Sequence, residues 1–301
     1  MRNRMLLVLR LTAALCLAIE SAKAAGRDLE GPTLRRVVVR HDLATRLTHW
    51  INTLALSLLL MSGLQIFNAH PALYRGDTGY DTSRGVFEIG TDTLSDGAST
   101  GWLRVGSHRW ITTGFLGVSR REGEEQLQAF PGWLTIPSWR DLAAGRRWHF
   151  FFAWVLVFNG LVYIIAGLTT GHLRTLLPTR QQLTTQSLLR TTWDHLRLRF
   201  PHDERALDYN ILQKLSYLAV IFILVPIMLL TGWSMSPGLD SFAPWLPSIF
   251  GGRQGARLVH FVTANLLVLF VLIHLFAVVA AGLWNELRSM ITGRFVIRDG
   301  D

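Results

Sequence analysis

The chain has 301 residues, 50% of them hydrophobic and 17% charged, with 30 Lys+Arg against 21 Asp+Glu and a formal net charge of +9. Apolar residues gathered in a few long blocks are a membrane-protein profile, so the positive excess reads as loop arginines beside membrane spans and not as a nucleic-acid surface. The single cysteine, Cys16, excludes intramolecular disulfides, a Cys-x-x-Cys-His haem attachment and a cysteine-ligated iron–sulfur cluster, which leaves metal chemistry to histidine or carboxylate.

Residues 1–25 resemble a secretory signal: Arg2 and Arg4, an apolar stretch from Met5 to Ile19, then Ala22-Lys23-Ala24 as a small-x-small site. Arg10 interrupts the apolar stretch, and cleavage would leave many positive residues outside. An extended start or an interfacial helix is therefore the expectation, ahead of an integral-membrane domain over 26–301.

Four windows are apolar and long enough to cross a bilayer as helix, at about 47–67, 148–168, 215–233 and 258–284. Pro226 in the third removes a helix hydrogen bond and predicts a kink. Trp50, Trp148, Trp233 and Trp284 sit at or near span ends, as an interfacial aromatic belt requires. The segment after the first span, about 68–147, is rich in Gly, Ser, Thr and Asp, has no span-length apolar run and reads as a small extramembrane cap. The fold class is thus all-α, a four-helix transmembrane bundle with a large extramembrane loop between helices 1 and 2. Counting Lys and Arg gives five in 26–46, seven in 169–214 and three after Trp284, against two in 234–257. The positive-inside rule then puts both termini and the second loop in the cytoplasm, and the long first loop, which crosses largely regardless of charge, on the other side.

Four of the ten histidines fall within spans: His49, His149, His260 and His274. An ionisable side chain at membrane depth is a functional-site hypothesis. For one histidine an interhelical hydrogen bond would suffice; four need a joint explanation. His260 and His274 lie fourteen residues apart on one helix, about 21 Å of rise and within roughly 40° of a whole number of turns, so both face one way, one near each membrane surface. Depth matching pairs His49 with His274 and His149 with His260. Two neutral imidazoles on one iron give a six-coordinate haem with no open position, a centre that moves electrons. Zinc or copper would want three or four ligands close together. Arg46, Arg146 and Arg257 each precede a histidine by three residues, about one turn nearer the surface, where a guanidinium can pair with a haem propionate or simply snorkel.

Several motifs carry a family resemblance: Arg46-Leu-Thr-His49-Trp50 opening the first span, Arg146-Arg-Trp-His149 the second, and Leu258-Val-His260-Phe with Ile273-His274-Leu in the fourth. From Arg40 to about Arg294 the chain resembles the cytochrome b subunits of formate dehydrogenase, thiosulfate reductase and nickel–iron hydrogenase, related to bacterial cytochrome b561. That resemblance implies a bacterial inner-membrane subunit with two haem b groups, anchoring a catalytic oxidoreductase and exchanging electrons with the quinone pool. The segment 41–50 and the large first loop look closest to thiosulfate reductase-type members, some of which serve molybdopterin-dependent enzymes, so a periplasmic molybdenum enzyme is the expected partner. His41, Asp42 and Arg46 are quinone-site candidates only through their nearness to His49. The alternatives are a free-standing cytochrome b561-like oxidoreductase acting on a small reductant, and a transporter or non-haem anchor whose histidines relay protons or pack.

Overall fold

A computed structural model describes residues 35–79, 85–200 and 207–298; the signal-like segment 1–25 lies outside them. In chain order the elements are β1 (Arg35–Val39), α1 (Leu43–Phe67), β2 (Ala72–Tyr74), β3 (Gly85–Thr93), β4 (Ser99–Val105), β5 (His108–Ile111), β6 (Gly117–Arg121), β7 (Glu124–Gln128), α2 (Leu142–Thr170), α3 (Thr185–Leu196), α4 (Ile211–Ser234), α5 (Arg253–Thr292) and β8 (Arg294–Arg298), with short helical turns between some of them.

Four helices, α1, α2, α4 and α5, are long and apolar enough to cross a membrane, and the chain is a multi-pass membrane protein. Each begins a few residues before its apolar window, and in the first three a capping residue in the flanking segment starts the helix. Asp42 accepts from Thr45 N, Asp141 from Ala144 N, and Asn210 forms a reciprocal box with Gln213. Arg46, Arg146 and Arg257 all lie on the opening turns of these helices, ahead of the apolar windows.

The disturbance expected at Pro226 takes the form of a π turn over Val220–Leu224. Proline has no N–H to give and its ring crowds the carbonyl four residues back, and widening the preceding turn relieves both. The last helix is longer than its apolar window and is interrupted at Gly282, whose φ of 113° and ψ of 80° leave the helical region. A side chain would be strained there, so glycine lets the final turns swing away from the membrane-crossing part.

Those final turns close over the start of the chain. β1 pairs antiparallel with β8, Arg40 forms a two-oxygen ion pair with Glu286 at 2.9–3.0 Å, and Trp50 Nε1 donates to Met290 O. Both described ends of the chain therefore sit at one end of the bundle. The segment between α2 and α4 lies there too, since His172 is near His41 and Asp42, and Tyr209 is near Arg40 and Glu286.

At the opposite end, the segment between α1 and α2 folds as a β cap. A four-stranded antiparallel sheet in the order β2-β3-β4-β5 is joined by the β6–β7 hairpin. Gly117, at φ 77°, lets β6 approach that sheet so closely that a Cβ would fall 2.3 Å from Gly90 O. Leu73, Ile89 and Ala129 form the cap's core with Phe67 from the end of α1, and Phe87 and Phe261 pack against it. Because Phe67 and Phe261 belong to spans, the cap shares its core with the bundle. The loop was legible as an extramembrane cap, and the structure adds its strands.

Candidate functional site

The bundle is built as two helix pairs. α1 packs along α2, and the second half of α4 along α5, whereas the pairs scarcely touch each other. Within the first pair, Asn159 Nδ2 donates to Thr48 O at 2.8 Å and to Asn52 Oδ1 at 2.7 Å, a buried polar tie that fixes rotation of α2 on α1. The four span histidines face each other across the space between the pairs.

His49 of α1 meets His274 of α5 with ring centroids 6.4 Å apart, and His149 of α2 meets His260 of α5 at 6.2 Å. The depth matching made on the sequence thus agrees with the observed contacts. Two imidazoles bound to opposite sides of one metal ion need about 2 Å of bond plus about 1 Å from nitrogen to ring centre on each side, or about 6 Å in all. Among the described residues no three His, Cys, Asp or Glu side chains converge on one site. Paired axial ligation of a flat metal centre fits this donor set, and a tetrahedral zinc-type centre does not.

The environment also fixes which nitrogen is free. Ser62 Oγ spends its proton on Leu58 O at 2.6 Å, so at 3.1 Å it accepts from His149 Nδ1, with Leu59 O as a second acceptor at 3.2 Å. Thr231 Oγ1 likewise donates to Ile227 O at 2.6 Å and accepts from His260 Nδ1 at 2.9 Å. These hydrogen bonds assign the Nδ1–H tautomer to both rings and leave each Nε2 lone pair for a metal, the arrangement typical of ligating histidine. Gly63 and Gly232 follow these hydroxyl residues directly. A Cβ on either would come within 3.4 Å and 3.6 Å of the His149 and His260 rings, so both helices run close beside the imidazoles they orient. The His49–His274 pair is held otherwise: His49 Nδ1 is buried without a partner among the described residues, and His274 stacks on Phe270 at 5.9 Å.

Ser62-Gly63 and Thr231-Gly232 were not singled out from the sequence. Their signal was present, since Leu-Met-Ser-Gly near the end of the first span and Leu-Leu-Thr-Gly near the end of the third are similar words in similar places. Reading them required knowing which histidine each helix faces.

The three arginines that precede histidines are brought to different places. Arg257 donates to Ala72 O at 2.9 Å and to His70 O, binding α5 to the β cap. Arg46 donates to Ile291 O at 3.0 Å, in the clasp at the other end. Arg146 lies 5.6 Å over the Phe150 ring. His41 and Asp42 stand just outside α1. Burial and the neighbouring Arg40 guanidinium hold His41 down at about 4. Burial pushes the Asp42 carboxyl up, but the hydrogen bonds from Thr45 outweigh it and leave Asp42 below the usual carboxylate range.

Comparison with known proteins places this geometry. The family model for prokaryotic cytochrome b561 matches residues 40–293, which takes in all four spans and the β cap and stops short of the β1–β8 pair. The putative protein-methionine-sulfoxide reductase subunit YedZ1 of Azospira oryzae is 24% identical over 241 residues, covering 80% of this chain and 90% of that protein. No solved structure matches the chain. From the match over most of its length, together with four spans that bring histidines into facing pairs, the chain belongs to the prokaryotic cytochrome b561 family of haem b-binding membrane electron-transfer proteins.

Proposed function

We propose that this protein holds two haem b groups in the space between its helix pairs, one on His49 and His274 and the other on His149 and His260, and relays electrons through the membrane. The observation that carries the reading is the double imidazole pairing, 6.4 Å and 6.2 Å between ring centres, with both imidazoles of the second pair turned to leave Nε2 free. His49 with His274, and His149 with His260, would each hold one haem, which would supply one-electron redox chemistry. The chain's own residues hold and insulate it: Ser62 and Thr231 fix ring orientation, the spans keep water out, and Arg46 and Arg146 have further N–H donors to offer a propionate. Arg257 is the weakest of the three for that role, because cap carbonyls already engage both its terminal nitrogens.

The relay runs between the quinone pool and a catalytic oxidoreductase partner. Support for a partner comes from the β cap, a folded platform that a small-molecule relay would not need, and from the Azospira oryzae relative, whose name is that of a reductase subunit. The partner proposed is a periplasmic molybdopterin-type enzyme docking on the cap, with the chain in the bacterial inner membrane and both termini cytoplasmic. That sidedness agrees with the clasp and the arginine-rich second loop lying at one end and the cap at the other.

The test is a reduced-minus-oxidised optical spectrum with haem counted per chain. Two haems are expected in the wild type and one in each of His274→Ala and His149→Ala. A single haem in the wild type, or equal loss of both from each variant, would overturn the two-site reading.

A further inference from the structure

Among the described residues, α3 is built inside out. At about 100° per residue, Leu189, Trp193 and Leu196 leave the helix within about 60° of one another, and they are 66%, 54% and 71% exposed. The opposite side is partly buried and carries Ser187, Thr191, Asp194 and His195, with Leu188 as its one large apolar side chain. A helix on a water-facing surface has the reverse arrangement, polar outside and apolar within. Leu189 and Trp193, with Gln186 and Arg190, also line an open hollow of about 690 Å³.

The tethers of this segment set the depth at which its apolar face lies. His195 Nδ1 donates to Thr191 O at 2.8 Å, so its Nε2 accepts from Asn210 Nδ2 at 3.4 Å. Gln182 Nε2 donates to Tyr209 O at 3.4 Å, and Lys214 Nζ to Leu177 O at 3.2 Å. Asn210 caps α4, so α3 is held beside the point where a span enters the membrane. The end of α2, from which the segment comes, has Ile165 and Leu168 open to lipid. The charge pattern adds a second, independent observation. Arg190 and Arg197 leave the helix along one edge of the apolar stripe, and the Arg197 guanidinium sits 4.5 Å over the Trp193 ring. From Arg180 to Arg199 the chain holds four arginines against Asp194 alone.

We propose that α3 lies in the plane of the membrane as an interfacial helix, with Leu189, Trp193 and Leu196 among the acyl chains and Arg190 and Arg197 on the phosphates of anionic phospholipids. The apolar stripe would enter a leaflet of any composition. Its arginine edge selects anionic over zwitterionic headgroups, because each guanidinium near a negative bilayer surface gains an attraction that a neutral surface does not supply. The stem of each arginine covers the edge of the stripe while its head reaches the phosphate layer. Anchored in this way, the segment between α2 and α4 lies flat against the leaflet at the clasp end.

The test uses the full chain with Cys16→Ala, in nanodiscs of equal parts phosphatidylglycerol and phosphatidylcholine, with a nitroxide on Leu189→Cys. Power saturation then compares collisions with oxygen, concentrated in hydrocarbon, and with a water-soluble nickel chelate. Oxygen collisions should dominate at Leu189→Cys and nickel collisions at Asp96→Cys, in the turn between β3 and β4. Nickel access at Leu189→Cys equal to that at Asp96→Cys overturns the proposal. Shielding from both reagents, the mark of a second copy or another protein on this face, also overturns it. Should Leu189→Cys fail to accumulate, Leu196→Cys serves in its place. The lipid class is read by native mass spectrometry of the detergent-purified chain titrated with phosphatidylglycerol. Arg190→Gln combined with Arg197→Gln should weaken that binding about 10–30-fold, with phosphatidylcholine binding and haem content unchanged. Equal phosphatidylglycerol affinity in the double variant and the wild type overturns the assignment to anionic lipid.

Discussion

Replacing Thr231 with valine keeps the β-branched shape and removes one oxygen. That oxygen accepts the His260 Nδ1–H at 2.9 Å, and the Met228 carbonyl is a second, weaker acceptor beside that ring. Leaving a buried N–H unpaired costs about 1–3 kcal/mol, and loss of an outer partner of a ligating histidine typically weakens metal affinity by about 10–100-fold. Expressed as free energy the latter is about 1.4–2.8 kcal/mol, so the two estimates agree. Ser62→Ala at the matching place on α1 should cost less, under about fivefold, because His149 Nδ1–H keeps Leu59 O at 3.2 Å as acceptor. The assay is transfer of haem from purified protein to an excess of apomyoglobin, followed optically. Two phases are expected in the wild type, with one accelerated about 10–100-fold in Thr231→Val and the other unchanged, and Thr231→Ser restoring the slow rate. Acceleration of both phases together, or a larger effect of Ser62→Ala than of Thr231→Val, would refute the argument that these hydroxyls each orient one imidazole.

Three further outcomes are expected. Glu286→Ala should lower stability by about 3 kcal/mol, because it leaves the Arg40 guanidinium, 9% exposed, without its anion; Arg40→Met added to it should recover much of the loss in a detergent melt, and failure to do so would deny the pair its role in the clasp. Ile89→Ala, at a core position 1% exposed, should cost about 2–5 kcal/mol and loosen the cap, read as faster proteolysis of the segment between α1 and α2 with haem content retained at the His49–His274 end. The third concerns acid. His41 is held near 4 in the folded chain and titrates at 6.5 when unfolded, so below pH 6.5 the unfolded state takes up a proton that the folded state refuses. Stability contributed by neutral His41 is therefore complete above pH 6.5 and declines as pH falls towards 4, by about 3 kcal/mol at ~1.4 kcal/mol per pH unit. Melting temperature in His41→Gln should fall less steeply over that window than in the wild type; identical slopes would exclude His41 as the source.

Much of this protein could be read along the chain because a bilayer imposes a one-dimensional code. Spans announce themselves by length and apolarity, since a backbone in hydrocarbon has to satisfy itself as helix. Histidines inside such spans stand out because ionisable groups are costly there. The fourteen-residue spacing of His260 and His274 on one helix fixes their common face by geometry alone, and alternation of the spans fixes the depth at which His49 and His149 meet them. Tertiary structure decided what depends on lateral neighbours, which hydropathy does not encode. The β cap escaped detection as strands because its alternation is short and broken by glycine turns. Ser62 and Thr231 gained meaning only when α1 was seen against α2 and α4 against α5. Arg46, Arg146 and Arg257 share one spacing in the sequence and three different partners in space, since helix periodicity sets which way a side chain leaves its own helix and only packing sets what it meets.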